Sequence, residues 1–569
     1  MARSDLLSVR LMTQTRHQAT TGRLHGRVCI VTGAGSGIGR ATTLALARDG
    51  AQVVAAGRTR SRIEEVVAEA DRVAGAGSAA GFVVDVRSER ETTDMARWTI
   101  EQFKRIDVLV CSAGVLRGAG GSPRLAIQLH TDEWDEVLNT NLTGVFLSNR
   151  AVASHMMSRR DGQIVNISSV AALRGLAYYS AYCASKAAVI GLTETLKSEV
   201  SHYGVNVRLI FPGPVATPLQ DQNGPIPRPA EMLPPERVAD LVIALITGPR
   251  DRSLERFVVT PPVSPLASRN GDPWWAATAS RAGQAMSKLL PVRRTDMSED
   301  PRAEGLGGQV AIVTGGGSGI GHATSLAIAR AGARVVVVDS DSRRVRQTID
   351  DLERQHSSAL GAAPAEGLVL DVRREDHMEE MASQTLSHWG RIDILVASAG
   401  ILRPSGSMPK LVTDMSSEDW QIVIDTNLKG VFLSNKHVIP TMIRQRRGAV
   451  INLSSVSGRA GRAYDSAYCA SKFGVIGFSE SLADEVRQYN VRVQTVLPDA
   501  VDTPLWEQNG PIPPPSNAIP AARVADLIVF LLTLPPDTML VNPVIGGFHA
   551  RPRKPRPPAS TKEARGGRS

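Results

Sequence analysis

A tyrosine and a lysine stand four residues apart in Ser180-Ala-Tyr-Cys-Ala-Ser-Lys186, and again in Ser466-Ala-Tyr-Cys-Ala-Ser-Lys472. On a helix, positions i and i+4 share one face a turn apart, so each ammonium lies near its phenol. A nearby positive charge favours the phenolate, which predicts a tyrosine pKa drawn down from about 10 towards the working pH. Such a tyrosine gives a proton to a carbonyl oxygen or takes one from an alcohol.

A second recurring pattern suits an anion. Val31-Thr-Gly-Ala-Gly-Ser-Gly-Ile-Gly39 returns as Val313-Thr-Gly-Gly-Gly-Ser-Gly-Ile-Gly321. Each run follows an apolar strand-like stretch and opens a helix. Gly33, Gly37 and Gly39, like Gly315, Gly319 and Gly321, let backbone approach a pyrophosphate where free N–H groups and the helix dipole favour negative charge. Ser36 and Ile38, with Ser318 and Ile320, belong to the same turns and join the expected cofactor contacts.

The elements that must position these residues are also duplicated. From Asp85 onward the offset between copies is a constant 286, through Asn141/Asn427, Pro212/Pro498 and Arg237/Arg523. A period this long is a duplicated domain, not a solenoid. In the first copy, apolar runs at Val28–Val31, Val53–Ala56, Phe82–Val84, Val108–Val110, Ile164–Ile167 and Val207–Ile210 alternate with longer helical patterns. Continuous apolar strands separated by helices imply parallel sheets covered on both faces. The expectation is an α/β chain of two Rossmann-type, doubly wound parallel-sheet domains in tandem, at 24–262 and 305–550, with ligands at the carboxyl ends of the strands. Residues 263–304 read as a linker, in which Trp275, Ala279, Ala282, Met286 and Leu289 fall on one helical face.

Composition narrows the function classes. The net charge of +9 sits wholly in two terminal segments, +3 in residues 1–23 and +6 in residues 551–569. Both read as disordered tails, and the charge is not the basic face of a nucleic-acid binder. No apolar run approaches the roughly 20 residues of a membrane span, and no signal-peptide pattern opens the chain, so a cytoplasmic location is expected. Cys29, Cys111, Cys183 and Cys469 form no metal spacing, and no metal site is expected.

TGxxxGxG, a later Asn, a Ser, and YxxxK thirteen residues beyond that Ser resemble the short-chain dehydrogenase/reductase family over nearly all of both domains. The resemblance implies a catalytic tetrad in each copy: Asn141, Ser169, Tyr182 and Lys186, then Asn427, Ser455, Tyr468 and Lys472. It implies that Ser holds the substrate oxygen, that Lys also binds the nicotinamide ribose, and that Asn orders a proton-relaying water. It places Asp85-Val86 and Asp371-Val372 beside the adenine, and Thr217 and Thr503 at the carboxamide. Cofactor choice is read at the end of the second strand, where an acid accepts from ribose hydroxyls and a base suits a 2′-phosphate. Asp339 therefore implies NAD for the second domain. Gly57 stands at the matching position of the first, and the Arg58 that follows implies NADP.

The copies depart from the family where its NNAG reads Cys111-Ser-Ala-Gly114 and Ala397-Ser-Ala-Gly400, predicting altered strand packing near the cofactor. Its PG becomes Pro498-Asp499 in the second copy. The resemblance implies a bifunctional NAD(P)-dependent oxidoreductase acting on a small secondary alcohol or ketone, with the two YxxxK helices paired as an intramolecular pseudo-dimer and further homo-oligomers open. The alternatives are one catalytic domain beside a scaffold domain, or a dinucleotide sensor without turnover.

Overall fold

The computed structural model describes residues 7–8, 22–118, 121–224, 226–248, 256–261, 305–357, 365–510 and 513–547. The expectations for the C-terminal tail and for the linker helix fall outside the described residues; within the N-terminal tail, expected to be disordered, Leu7–Ser8 instead pair in parallel with Phe257–Val258.

In the first unit the strands are β1 (Val28–Thr32), β2 (Gln52–Gly57), β3 (Ala79–Val83), β4 (Val108–Cys111), β5 (Gly162–Ile167), β6 (Val205–Pro212) and β7 (Arg256–Val259). The helices are α1 (Gly37–Arg48), α2 (Arg60–Ala74), α3 (Glu89–Phe103), α4 (Thr131–Leu138), α5 (Gly144–Arg159), α6 (Ser180–Val200) and α7 (Pro235–Thr247). All pairings are parallel, in the order β3-β2-β1-β4-β5-β6-β7, and Leu7–Ser8 adds a short strand beyond β7. The second unit repeats the plan with β8 (Val310–Thr314), α8 (Gly319–Arg330), β9 (Arg334–Asp339), α9 (Ser342–Ser357), β10 (Ala365–Val369), α10 (Glu375–Trp389) and β11 (Ile394–Ala397). It continues with α11 (Ser417–Ile424), α12 (Gly430–Gln445), β12 (Gly448–Leu453), α13 (Ser466–Val486), β13 (Val491–Pro498), α14 (Ala521–Leu532) and β14 (Val544–Ile545), in the order β10-β9-β8-β11-β12-β13-β14. These are two Rossmann-type α/β units in tandem. In both, the sheet order reverses beside β1 or β8, the switch point at which such folds bind ligands.

The missing asparagines of the NNAG motif do not disturb the sheet. β4 keeps its register with β1 and β5, Cys111 opposite Thr32 and Asn166. Cys111 Sγ donates to Asn149 Oδ1 at 3.5 Å. At the matching Asn435, with Ala397 at the position of Cys111, Oδ1 is buried without a hydrogen-bond partner among the described residues. At the other departure, Asp499 packs against Gly546, where an added Cβ would lie 2.9 Å from the Asp499 Cβ. Gly546-Gly547 thus follow β14 directly and make room for the aspartate, correcting the expectation that both copies lack a Gly-Gly ending after the last strand.

The apolar cores are unequal. On one face of its sheet each unit has its own cluster, while on the other face a single cluster runs through both units. Nearly every residue of α6 and of α13 is buried, polar ones such as Ser185, Glu199, Ser471 and Glu485 included. The two helices pack on one another so closely that a Cβ on Gly191 would lie 2.7 Å from the Cys469 carbonyl oxygen, and one on Gly477 the same distance from that of Cys183. Beside them Trp134 stacks on Phe432 and Phe146 on Trp420, each pair with centroids 4.2 Å apart.

Candidate active site

Four elements converge at the carboxyl ends of β4 and β5. A π-helical turn, Asn139–Thr143, interrupts the path from α4 to α5 and turns Asn141 inward. Asn141 accepts from the Val115 N–H at 2.8 Å and donates to the Val115 carbonyl at 2.8 Å and to Ser185 Oγ at 3.1 Å. Ser169, just after β5, accepts from the Ala171 N–H at 3.2 Å and hydrogen-bonds Tyr182. Lys186 Nζ donates to the Ile167 carbonyl at 3.0 Å and lies 5.8 Å from the centre of the Tyr182 ring. A Cβ on Gly114 would meet Asn141 Oδ1 at 3.2 Å and Lys186 Nζ at 3.5 Å, so glycine there lets the two approach.

The second unit reproduces the arrangement. Asn427, again in a π-helical turn, bonds both backbone groups of Ile401 at 2.8 Å and Ser471 Oγ at 3.1 Å. Lys472 Nζ donates to the Leu453 carbonyl at 3.0 Å, 5.6 Å from the Tyr468 ring centre, and Ser455 hydrogen-bonds Tyr468.

The tyrosine pKa moves opposite to the sequence expectation. Burial pushes Tyr182 and Tyr468 up to about 12, with the serine hydrogen bond pulling the other way. Burial also brings Lys186 and Lys472 down to about 8. Desolvation is the largest cause in all four groups because each lysine and tyrosine share one buried site.

The first unit opens a cleft of about 570 Å³ in front of these residues. Ser169, Tyr182 and Lys186 line it, with Gly33, Ser36, Gly37, Ile38, Arg58, Val86 and Thr217. Gly33 has φ +68°, and a Cβ on it would lie 2.7 Å from the Ala113 Cα. Gly37, at φ +50°, lies against Thr217. Asn141 and Gly39 sit behind this lining, and a Cβ on Gly39 would strike the Gly33 carbonyl at 2.2 Å. Asp85 also stays off the lining and turns its carboxylate onto Arg87, as Asp371 does onto Arg373. Val86 and Val372 pack where a Cβ on Gly144 or Gly430 would otherwise be.

In the second unit Gly315 and Gly319 take φ +67° and +52°, against Ala399 and Thr503. Gly321 backs onto the Gly315 carbonyl, and Ser318 and Ile320 open α8. Asp339, ending β9, accepts from the Gly317 N–H at 3.1 Å and from the Asp341 N–H at 3.1 Å. A glycine cradle at a helix N-terminus, an elongated cleft and an acid or base at its far corner fit a nicotinamide dinucleotide.

A short-chain dehydrogenase family model matches residues 27–225 and 309–511. The chain belongs to the short-chain dehydrogenase family. No described helix is long and apolar enough to cross a membrane. Peroxisomal hydratase-dehydrogenase-epimerases of Neurospora crassa and Saccharomyces cerevisiae are each 28% identical to it, over 84% and 89% of this chain. The chain spans 54% and 58% of the length of those relatives. A 3-oxoacyl-[acyl-carrier-protein] reductase of Thermotoga maritima is 39% identical over 36% of this chain and 78% of its own length.

Beside Tyr179 and Gln222 of the cleft stands Arg117, which the sequence reading did not name, nor its counterpart Arg403. Arg117 donates to the Tyr178 carbonyl at 2.7 Å and lies 4.9 Å over the Tyr179 ring, whose hydroxyl donates to Asn223 at 2.6 Å. Its counterpart Arg403 instead pairs with Asp465 at 2.6 Å in a buried ion pair. Gln222 and Gln508 tie the loops after β6 and β13 to Leu116 and Leu402, each at 2.8 Å. The space between Arg403, Met408, Asp465 and Tyr468 is only about 10 Å³. The 286-residue offset was the available signal, since it aligns both arginines and sets Tyr179 against Asp465.

Proposed function

We propose that the chain is a bifunctional oxidoreductase whose units, 24–262 and 305–550, each interconvert a secondary alcohol and its ketone, the first with NADP and the second with NAD. The observation that carries this reading is the duplicated arrangement itself, with Ser, Tyr, Lys and Asn holding equivalent bonds in both units. A scaffold or sensor would not need both sets intact.

When bound, the nicotinamide cofactor supplies or accepts the hydride. Gly33, Ser36, Gly37, Ile38, Arg58, Val86 and Thr217 would hold it in the first unit; Gly315, Ser318, Gly319, Ile320, Asp339, Val372 and Thr503 would do so in the second. Tyr182, which keeps its proton at neutral pH, donates to the carbonyl oxygen as it gains charge. Ser169 bonds that oxygen and orients it. Lys186, buried as an ammonium on the Ile167 carbonyl, stabilises the phenolate left behind, and Asn141 fixes the wall beside it. Tyr468, Ser455, Lys472 and Asn427 take the same roles.

The named activities of the relatives make 3-oxo and 3-hydroxy acyl compounds the first to try. A panel of these and of simple ketones and secondary alcohols, with each cofactor, followed at the reduced-nicotinamide absorbance, tests the proposal. Turnover with one cofactor only, unaffected by changes in the other unit, would leave a single live centre.

A second reading concerns how the units cooperate. Both carry Pro-Leu-x-x-Gln-Asn-Gly-Pro-Ile-Pro, at 218–227 and 504–513, while the opposing wall changes from Tyr179 to Asp465. A shared loop with a changed wall suits two steps of opposite handedness on related molecules. Chiral chromatography of a single enantiomer incubated with NAD and NADPH tests this, and two centres with no ketone in common refute it.

A further inference from the structure

The segment joining β5 to α6 forms one wall of the first cleft through Leu176, Ala177 and Tyr179, and it leads directly into the helix that bears Tyr182. Its backbone is gripped by the other unit. The Gly175 N–H donates to Glu480 at 3.0 Å, and the Tyr178 N–H to Glu485 at 2.9 Å. Ser481 Oγ donates to the Leu176 carbonyl. The second oxygen of Glu485 accepts from the Ala126 N–H at 2.6 Å. All three gripping side chains project from α13.

The reverse grip is also present. The Gly461 N–H donates to Glu194 at 2.8 Å and the Tyr464 N–H to Glu199 at 2.9 Å, while Glu199 also accepts from Val412 at 2.8 Å. Glu485 and Glu199 are 1% and 2% exposed. Tyr178 and Tyr464 both have φ +69°, a left-handed conformation that a bulky residue keeps only where its surroundings impose it. In both cases the group on its N–H comes from the opposite unit. Arg117 takes the Tyr178 carbonyl, so both backbone groups of Tyr178 are held.

We propose that Glu485 and Glu199 are positioning residues acting across the interface, each holding the turn that sets the cleft wall and the catalytic helix start of the other unit. The two centres are thereby coupled, and each is competent only while its neighbour is seated. The coupling of activities rests on the reading that both units turn over; the grip on the turns does not.

Both oxygens of Glu485 accept backbone N–H groups, so Glu485→Gln is a sharp probe. It conserves shape but sets an NH2 donor against one of two N–H donors. Hydrogen exchange on the full chain should show faster exchange over 173–179 in Glu485→Gln, with 459–465 unchanged, and the converse in Glu199→Gln. With ethyl acetoacetate as probe, Glu485→Gln should lower kcat of the NADPH reaction about tenfold, leaving KM for NADPH and the NADH reaction unchanged. A change that merely weakens the unit carrying it would strike the NADH reaction first. Faster exchange in both turns alike, or in neither, overturns the proposal, as does faster exchange over 173–179 with an unchanged kcat. A wild-type chain that reduces no ketone defeats the proposed function, and exchange alone then decides whether the grip exists. Should Glu485→Gln not fold, Ser481→Ala reads the same turn.

Discussion

Asp339→Ala isolates the residue on which cofactor choice in the second unit turns. The carboxylate ends β9 beside the glycine turn, held by the N–H groups of Gly317 and Asp341 at 3.1 Å each. From there it can accept from the adenosine ribose hydroxyls. Hydrogen bonds to a charged acceptor contribute about 1.5–3 kcal/mol, so their loss should weaken NAD binding about 10- to 150-fold. NADP gains or stays level, because its 2′-phosphate no longer faces a carboxylate. The substitution also strips Gly317 of its acceptor and loosens the turn, but that affects both cofactors equally, so the ratio of affinities is the informative quantity. Calorimetric titration of the intact chain with NAD and NADP, fitted to two sites, measures it. Equal weakening of both cofactors at the second site refutes the assignment of Asp339.

Tyr182→Phe should abolish the NADP-linked activity and leave the NAD-linked one, with Tyr468→Phe doing the reverse; a substrate panel that shows no change in either variant leaves the unit concerned without a catalytic role. For pH, Tyr182 at about 12 stays protonated throughout the working range, whereas Lys186 at about 8 loses its charge as pH rises through that value. Ketone reduction should therefore hold steady below about pH 8 and fall above it, and a kcat/KM profile flat to pH 10 contradicts this. Trp134, 1% exposed and stacked on Phe432, should cost about 3–5 kcal/mol when cut to alanine, read as a shift in the urea midpoint.

Much of this was legible in the sequence for a physical reason. Strands buried on both faces must be apolar throughout, so the runs beginning at Val28, Val53 and Val108 mark themselves. The short edge strands β7 and β14 carry no such signature, and β7 begins with Arg256. The tetrads were legible because their chemistry fixes residue type and spacing together. The direction of the tyrosine pKa was not, because burial is a property of the assembled site and spacing alone conveys only the lysine's charge. Nor was the left-handed turn at Tyr178 and Tyr464, for tyrosine has no preference for positive φ and the acids on their N–H groups, Glu485 and Glu199, lie 307 and 265 residues away. A clue was nonetheless present: Glu194/Glu480 and Glu199/Glu485 recur at the 286 offset in the helices that carry YxxxK, and a buried acid there needs a partner.

The interface raises a question of pairing, since each unit supplies one tryptophan and one phenylalanine to the stacks and could match a second copy of itself. One contact breaks that equivalence. Lys429 pairs with Asp135 at 2.7 Å, its side chain 18% exposed, whereas the symmetry-related positions hold Thr143 and Gln421. Two first units facing each other would leave Asp135 against Thr143, and two second units would leave Lys429 against Gln421. Only the mixed pair joins the charges, which favours pairing of unlike units over pairing of like ones. Lys429→Asp would set two carboxylates together at a partly buried site, a cost of several kcal/mol. Light scattering coupled to gel filtration should then show a shift towards larger, concentration-dependent species, as like units of different chains pair. A mass distribution and melting temperature identical to those of the wild type would show that the apolar stacks alone choose the partner.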